Sequence, residues 1–470
     1  MHKLQYQKSM AETAKRTLVQ ETLKSVGKSV VLFGWVDSVR DHGKVTFIDL
    51  RDLSGKVQCV GSNLERLTTE SVVEVKGVVK KRPEKLVNKD LETGEVEVEV
   101  KEVVVLAKSK EQLPFPLDTE GYEIEEELRL RYRYLDLRRS RLQRNIRLRS
   151  DYVQAAREFL FKEGFVEIET PLLTRSTPEG SRDFVVPSRI YPGKFYALPQ
   201  SPQQYKQLLM TAGFEKYFQI AKALRDEDTR ADRGFEHTQI DIEASFVGRE
   251  EVMGLVEAMT TFALEKLGAK IAKKPFPVFT HKAAMEKFGA DKFDLRSDKE
   301  KKEGVMSFAW VVDFPFFEKT EEGGWTFTHN PFSAPLNEEN EKMLLEKKNV
   351  GKIVTSQYDL VCNGFEVAGG SIRTHKPEVL RATYEIMGYS KGEIEESVGH
   401  MLEAFEYGTP PHGGCAQGFE RLLMAFLGEE YIREIQAFPT SGRGRTSVMS
   451  SPSKLSDEQL KELGLKVVED

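Results

Sequence analysis

Apolar and polar positions alternate strictly through residues 30–106. "SVVLFGWVDSV", "KVTFIDLRD", "KVQCVG", "SVVEVKGVVKKR" and "EVEVEVKEVVVLA" are short alternating runs split by Gly, Asp and Ser. A period of two puts alternate side chains on opposite faces, so each run predicts a strand with one buried face. Several such strands in close succession predict a small β-barrel. The two prolines of "EQLPFPLDTEG" then read as a hinge. From about residue 150 the pattern mixes. "DYVQAAREFLFKEG" has helical spacing and stops at Gly164, while "FVEIETPLL" reads as a strand closed by Pro171. Near the end, Ser456 and Gln459 are spaced as a capping box for the helix "DEQLKELG". The expected fold class is α+β, with a barrel at 17–112, a hinge at 113–149 and a larger mixed domain at 150–470.

The stretch "RDEDTRADRGFEHTQIDIE", residues 225–243, carries the densest mixture of charge. "YFQIAKAL" before it is apolar enough for a strand, and "TQIDIEASF" alternates, with Gln239, Asp241 and Glu243 on one face and Ile240 and Ile242 on the other. An antiparallel hairpin with one apolar and one charged face follows. A ligand on the charged face would meet guanidinium and carboxylate groups together. A nucleotide beside an amino acid fits, since phosphate and carboxylate want Arg while an ammonium wants Asp, Glu or Gln. A solvated hairpin with compensating surface charge is the alternative.

Composition narrows the class. With 470 residues, 39% hydrophobic and 31% charged, the chain suits two or three soluble globular domains. No apolar run approaches the roughly 20 residues of a membrane span, and "MHKLQYQKSMAETAKR" lacks the apolar core of a signal peptide. Cys59, Cys362 and Cys415 are scattered, which argues against disulfides or a zinc site and for a reducing, cytoplasmic setting. At a net charge of -6, any nucleic acid must be held by local patches. One candidate is 129–149, where Arg129, Arg131, Arg133, Arg138, Arg139, Arg141, Arg144, Arg147 and Arg149 face a single acid, Asp136. It reads either as a solvated helix face with inter-domain ion pairs or as a track for an RNA backbone.

Four further stretches carry unusual chemistry. Glu179 lies in the polar loop "TRSTPEGSRDF", and Lys206 stands beside Gln203 in the helical "LPQSPQQYKQLLM". In "YDLVCNGFEVAGGSIRTH", Asp359 and Glu366 fall on a strand-like pair ahead of Gly369, Gly370 and Arg373. Two carboxylates within mutual reach suit Mg2+ shared with phosphate oxygens. In "HGGCAQGFERLLMAFLG", Arg421 sits in the first turn of a helix, where a cation opposes the macrodipole by about 0.3–1 kcal/mol. That misplacement makes it a ligand candidate. Neither a Rossmann glycine fingerprint nor a P-loop is present.

Together these residues resemble the class II aminoacyl-tRNA synthetases, and most specifically the bacterial-type aspartyl-tRNA synthetases, over nearly the whole chain from about Thr17. "KEGFVEIETPLLT" resembles motif 1, "RDEDTRADRGFEHTQIDIE" motif 2 and "GCAQGFERLLM" motif 3, with "TPEGSRDF", "QSPQ" and "HNPFSAP" between them. The resemblance implies an OB-fold anticodon-binding barrel and a catalytic domain built on an antiparallel sheet flanked by helices. It implies an aspartate–tRNA ligase that makes aspartyl-adenylate from L-aspartate and ATP with Mg2+, then charges tRNA-Asp. Arg225, Glu227 and Arg421 would be catalytic. Glu179, Gln203 and Asp241 would surround the substrate ammonium, Lys206 and Arg373 would clamp its side-chain carboxylate, Arg225 its α-carboxylate, and His329 would close over it. ATP would meet Arg225, Asp226, Glu227, Gly234, His237, Glu366, Gly418, Phe419, Glu420 and Arg421. Asp359 and Glu366 would hold Mg2+. Phe47 would stack on an anticodon base, with Arg40, Gln58 and Arg82 as hydrogen-bonding groups. Motif 1 implies a homodimer.

The sequence also departs from that pattern. His237 stands where an aromatic ring covers the adenine. Phe419 and Glu420 replace the usual Leu and Asp. An inserted domain of roughly a hundred residues is missing, leaving a remnant at about 288–310. Residues 1–16 form an N-terminal extension with no assigned role. His42 in "RDHGKV" resembles relaxed members that also charge tRNA-Asn. Two other readings share the catalytic fold: a tRNA-independent asparagine-forming ligase, which would leave the barrel without a task, and a non-catalytic RNA-binding relative, which predicts broken motifs.

Overall fold

The structure, a computed structural model, describes residues 15–43, 45–62, 64, 66–176 and 180–468. The chain divides into two compact units, 1–116 and 117–470. In the first unit, strands β1 (Ser29–Asp41), β2 (Thr46–Asp52), β3 (Gly55–Gly61), β4 (Val72–Lys81) and β5 (Val96–Ala107) close into a barrel in the order β1-β2-β3-β5-β4. The alternation seen in the sequence is the reason. Leu32, Ile48, Leu50, Val57, Val75 and Val98 point inward and are fully buried, while their neighbours along each strand face outward.

In chain order the strands of the second unit are β6 (Val166–Glu167), β7 (Val185–Pro187), β8 (Phe195–Ala197), β9 (Lys216–Leu224), β10 (Glu236–Ser245), β11 (Val278–Thr280), β12 (Phe308–Val312), β13 (Phe317–Lys319), β14 (Trp325–Phe327), β15 (Tyr358–Cys362), β16 (Phe365–Arg373) and β17 (His412–Gln417). Eight of them form one sheet, ordered β11-β12-β15-β16-β17-β10-β9-β6, and the pairs β7–β8 and β13–β14 are separate hairpins. The six central strands are antiparallel, whereas the edge strands β11 and β6 pair in parallel. The helices Ser140–Lys162, Arg249–Lys266 and Phe419–Leu427 pack their apolar residues with the sheet into the main core. The capping box at Ser456 forms as the spacing predicts, and Gly464 ends that helix in the left-handed conformation.

Three expectations are corrected. The strand expected over "FVEIETPLL" shrinks to Val166–Glu167. Ile168 still donates to the Phe218 carbonyl, but the Thr170 hydroxyl turns to Gln219 and Pro171 has no N–H to offer the ladder. The arginine-rich segment is largely neither solvated nor an RNA track. Arg129, Arg133 and Arg139 are buried around Asp136 at 2.7–3.0 Å, and Arg141 bonds Glu429 and Glu434. Arg144 and Arg147 remain exposed. The acids at 429 and 434 return from the far end of the chain, so the run ties the start of this unit to its end. The helix Ser140–Lys162 also passes unbroken through 149/150, so no hinge ends there.

Breaking one partner of a buried ion cluster leaves the others uncompensated, typically at about 3–5 kcal/mol. Asp136→Asn is therefore expected to lower the denaturation midpoint of the full chain sharply, whereas Arg147→Gln is expected to leave it nearly unchanged. Equal midpoints for wild type and Asp136→Asn in urea unfolding would contradict the network's role.

Candidate active site

The hairpin read from residues 216–245 is β9 and β10, with Glu236 opposite Leu224 and Ala244 opposite Lys216. Its polar face lies inside the molecule. Asp241 and Glu243 are fully buried, and two cations arrive to meet them. Lys206, from the helix Gln203–Thr211, places its Nζ 2.7 Å from Asp241 Oδ1 and 3.1 Å from Glu243 Oε2. Arg373, at the end of β16, donates from Nε to Glu243 Oε1 at 3.1 Å. Its Nη1 donates to Ser371 Oγ, and its Nη2 to Glu243 and the Gly414 carbonyl. The expected clamp is thus a neutral quartet rather than a bare pair of cations. Among the described residues Lys206 spends two of its three protons and Arg373 four of its five, which leaves a donor on each for a further anion. Burial raises the Asp241 pKa despite Lys206. For Glu243, burial acts upward too, but Arg373, Lys206 and His412 outweigh it and hold the carboxyl below its ordinary range.

Glycine makes the quartet possible. A Cβ on Gly414 of β17 would sit 2.1 Å from Glu243 Oε2, and one on Gly370 would sit 2.2 Å from the Gly414 carbonyl. The glycines of "HGGCAQ" and "VAGGSIR" therefore let the carboxylate lie flat over backbone.

Arg373 and Asp241 open onto a cavity of about 980 Å3, and Arg225, Gln203, Glu227, Gly234, His237 and Arg421 lie on the same wall system. Arg225 follows β9 directly; its N–H donates to the Phe235 carbonyl across the loop, and its Nε to the Gln200 carbonyl at 3.4 Å. Glu227 accepts from the Ser181 hydroxyl and pairs with Arg233 at 3.4 Å. Arg421 does not point away to solvent: Nη1 donates to the Glu366 carbonyl at 2.8 Å, and Nε lies 3.1 Å from Asp232. His237 stands between Arg225 and Arg421. Burial and those two cations drive its pKa down from 6.5 to about 3, so a neutral imidazole faces the cavity.

On adjacent strands, Asp359 and Glu366 converge. A Cβ on Gly369 would be 3.1 Å from Asp359 Oδ1 and 3.6 Å from Glu366 Oε1. Burial and Glu366 raise the Asp359 pKa, although His329 Nε2 lies 3.1 Å from its Oδ2. That partnership lifts the His329 pKa in spite of its own burial. Lys292 pairs with Glu366 at 2.8 Å and, against burial, keeps that carboxyl acidic. Gln357 Nε2 also donates to Asp359 Oδ1 at 2.7 Å, and the two converging carboxylates fit a hard cation. No cluster of three His, Cys, Asp or Glu side chains that could hold a metal occurs among the described residues, so other ligands would have to come from phosphate and water.

Some expected contacts do not face the cavity. The Phe419 ring is buried in the core, stacked on Tyr152 at 5.9 Å, because helix packing claims the first apolar position after Gly418. Asp226 bridges back to Arg182. Glu420 reaches the cavity wall, but its carboxylate is held by Arg149, Gln436 and the Thr238 N–H. Glu179 lies outside the described residues. Cavity residues given no role from the sequence include Asp232, Asn330, Gln357 and Lys292, and Glu243 was read only as part of the charged face.

On the barrel, Asp49, Gln58 and Glu97 stand in register across β2, β3 and β5. Arg40 grips Asp49 at 2.6 Å, and Gln58 donates to Glu97 at 3.0 Å. Arg82 lies 3.9 Å from Glu97, and its buried Nε and Nη1 find no hydrogen-bond partner among the described residues. Phe47 is half-buried, with the His42 ring edge-on at 5.5 Å.

Residues 125–442 match the family tRNA synthetases class II (D, K and N), and residues 30–106 match the OB-fold nucleic acid binding domain. The chain is 37% identical to an aspartate–tRNA(Asp/Asn) ligase of Phenylobacterium zucineum, covering 96% of this chain and 98% of that one. It is 38% identical to the ligase of the same name from Caldanaerobacter subterraneus, covering 95% and 97%. The first alignment spans 584 positions, more than the 470 residues here, so that relative carries segments this chain lacks. Among solved structures, asparaginyl-tRNA synthetase from Pyrococcus horikoshii with asparaginyl-adenylate superposes with a TM-score of 0.72 at 24% identity, covering 91% of this chain and 98% of that one. Aspartyl-tRNA synthetase from Entamoeba histolytica gives 0.72 at 23%, covering 90% and 91%. These likenesses carry the fold.

The depressed His237 pKa has a defined sign. The unfolded chain takes up a proton near 6.5, and the folded chain takes it up only near 3, so this group costs stability as pH falls through that window. His237→Gln is expected to lose less stability than wild type between about pH 7 and about pH 5, read from urea midpoints at both. Equal losses would contradict the assignment.

Proposed function

The chain belongs to the class II tRNA synthetases (D, K and N), and from that premise we propose that it is an aspartate–tRNA ligase working through the residues around the 980 Å3 cavity. Lys206 and Arg373 receive the side-chain carboxylate of L-aspartate through their remaining donors. A carboxylate can accept from both remaining donors, whereas the NH2 of an amide would set a donor against one of them, which favours aspartate over asparagine. Gln203 and Asp241 flank the ammonium. Arg225 holds the α-carboxylate against the α-phosphate of ATP. The observation that carries this reading is that Arg373 and Asp241, members of the buried quartet that also holds Lys206, line the same cavity as Arg225.

The chemistry needs no protein nucleophile. An α-carboxylate oxygen attacks the α-phosphorus, the bond to the bridging oxygen breaks, and pyrophosphate leaves. A ribose hydroxyl of the terminal tRNA adenosine then attacks the adenylate carbonyl, and AMP leaves. Arg225 stabilises the charge that builds on phosphorus, so catalysis is positioning plus electrostatics. Arg421 lays its guanidinium plane under the adenine, neutral His237 covers the base, and Glu227 contacts the nucleotide. His329 closes over the substrate. Mg2+ on Asp359 and Glu366 would neutralise phosphate charge when bound.

The barrel reads the anticodon, with Phe47 as stacking platform and Arg40, Gln58 and Arg82 as its polar partners. Exposed Phe161, Val166, Leu172 and Leu173 around the edge strand β6 support a homodimer. The position of His42 against Phe47, with relatives named for both tRNAs, supports charging of tRNA-Asn as well as tRNA-Asp. No helix among the described residues is long and apolar enough to cross a membrane, and the three buried free thiols suit the cytoplasm.

Aspartate-dependent exchange of labelled pyrophosphate into ATP, followed by charging of tRNA-Asp and tRNA-Asn transcripts, tests the reading; no exchange with aspartate would sink it. Lys206→Met and Arg373→Met are each expected to lower kcat/KM for aspartate by about a hundredfold or more while ATP binding persists. Phe47→Ala is expected to raise the KM for tRNA by about 5–150-fold and to leave exchange unchanged.

A further inference from the structure

We propose that Lys292 is a phosphate-binding residue of the activation reaction: it holds the β,γ-phosphate end of ATP and the pyrophosphate that leaves. The proposal rests on the ligase reading for the reaction, but the binding it describes depends only on the nucleotide.

Lys292 comes from the short segment between the helices His281–Phe288 and Asp298–Lys302. That segment is fixed to the body of its unit. Phe293 is buried, stacks on Phe288 at 4.0 Å, and its carbonyl accepts from the Gly364 N–H at 3.1 Å. Arg296 forks onto Asp294 at 2.8–3.3 Å and closes the segment on itself. Lys292 is therefore delivered to the cavity wall by a pinned neighbour rather than by a loose loop.

Its ammonium touches Glu366 Oε2 at 2.8 Å. The same carboxylate group converges with Asp359 over Gly369, the geometry that fits a divalent cation. Asp291 lines this end of the cavity together with Glu366, with Lys292 and Arg421 as the cations beside them. A polyphosphate entering here meets Asp291 and Glu366, with Asp359 buried beside Glu366, and needs compensating charge. Once Glu366 ligates a divalent cation it no longer requires the ammonium. Lys292, a flexible point charge with three donors, is then left beside the most highly charged part of the nucleotide. Of the other cations on the cavity, Arg225 and Arg421 are assigned above to the α-phosphate and the base, Arg233 pairs with Glu227 and Lys319 lies over the Trp325 ring.

Calorimetry separates this from a purely structural role. With saturating Mg2+, Lys292→Met in the full chain is expected to bind α,β-methylene-ATP about tenfold or more weakly, and pyrophosphate likewise, while AMP binding stays within about twofold. Lys292→Arg is expected to restore most of the ATP-analogue affinity. An equal loss for AMP and the ATP analogue would overturn the proposal, since it would mean a general collapse of the site. Unchanged affinity for both, or a changed Mg2+ requirement with no change in the ratio of the two affinities, would also overturn it. Failure of aspartate-dependent exchange in the wild type, with this ATP-over-AMP difference intact, would refute the ligase reading alone.

Discussion

Four buried charges, Lys206, Asp241, Glu243 and Arg373, set the terms on which the catalytic unit is built. Each lone ion would be expensive away from water, so all four persist only as a mutually compensated set with satisfied hydrogen bonds. Three separate pieces of chain must therefore meet with sub-ångström tolerance: a helix at 203–211, the return strand of a hairpin and the end of β16. The antiparallel order β16-β17-β10 supplies that meeting, and the intervening β17 has to be nearly without side chains there. Arrangement of the sheet and charge of the site are one constraint.

The cavity has two contrasting ends. At the quartet the groups are fixed, dry and prearranged, which suits selection of a small acid by geometry. Toward the end proposed for the nucleotide the pairs are half-exposed and exchangeable: Arg421 with Asp232, Glu227 with Arg233, Lys292 with Glu366. Such pairs have little net worth in the free protein and can be surrendered to a ligand cheaply. A site that must admit ATP and release pyrophosphate gains from that looseness, whereas one that must reject near-identical amino acids gains from rigidity.

Much of this was legible in the chain. Period-two alternation gave the barrel strands and the β9–β10 hairpin because one face of each is buried, and the capping box at Ser456 needed only local spacing. What escaped depended on distant partners. Nothing near residue 129 reveals that Glu429 and Glu434 return to bury its arginines, so a dense basic run looked like a surface. Glu243 was assigned to the correct face, but its role waits on Arg373, 130 positions later in the chain. Phe419 sat inside a motif, yet the helix turns that residue to the core and only its neighbours to the cavity. Lys292 lay in a stretch notable mainly for what it lacks.

Gly369 and Gly414 leave bare backbone on the site face of the sheet, one beneath Asp359 and Glu366 and the other beneath Glu243. A floor made of peptide planes offers evolution no side chain to lengthen or shorten, so pocket depth there is frozen. Any new amino acid preference on this scaffold has to be written on the walls, by exchanging a charged residue such as Lys206 together with the acid that balances it. Change of that kind proceeds in compensated steps of two, which makes the fold hospitable to a few discrete substrates and resistant to gradual drift between them.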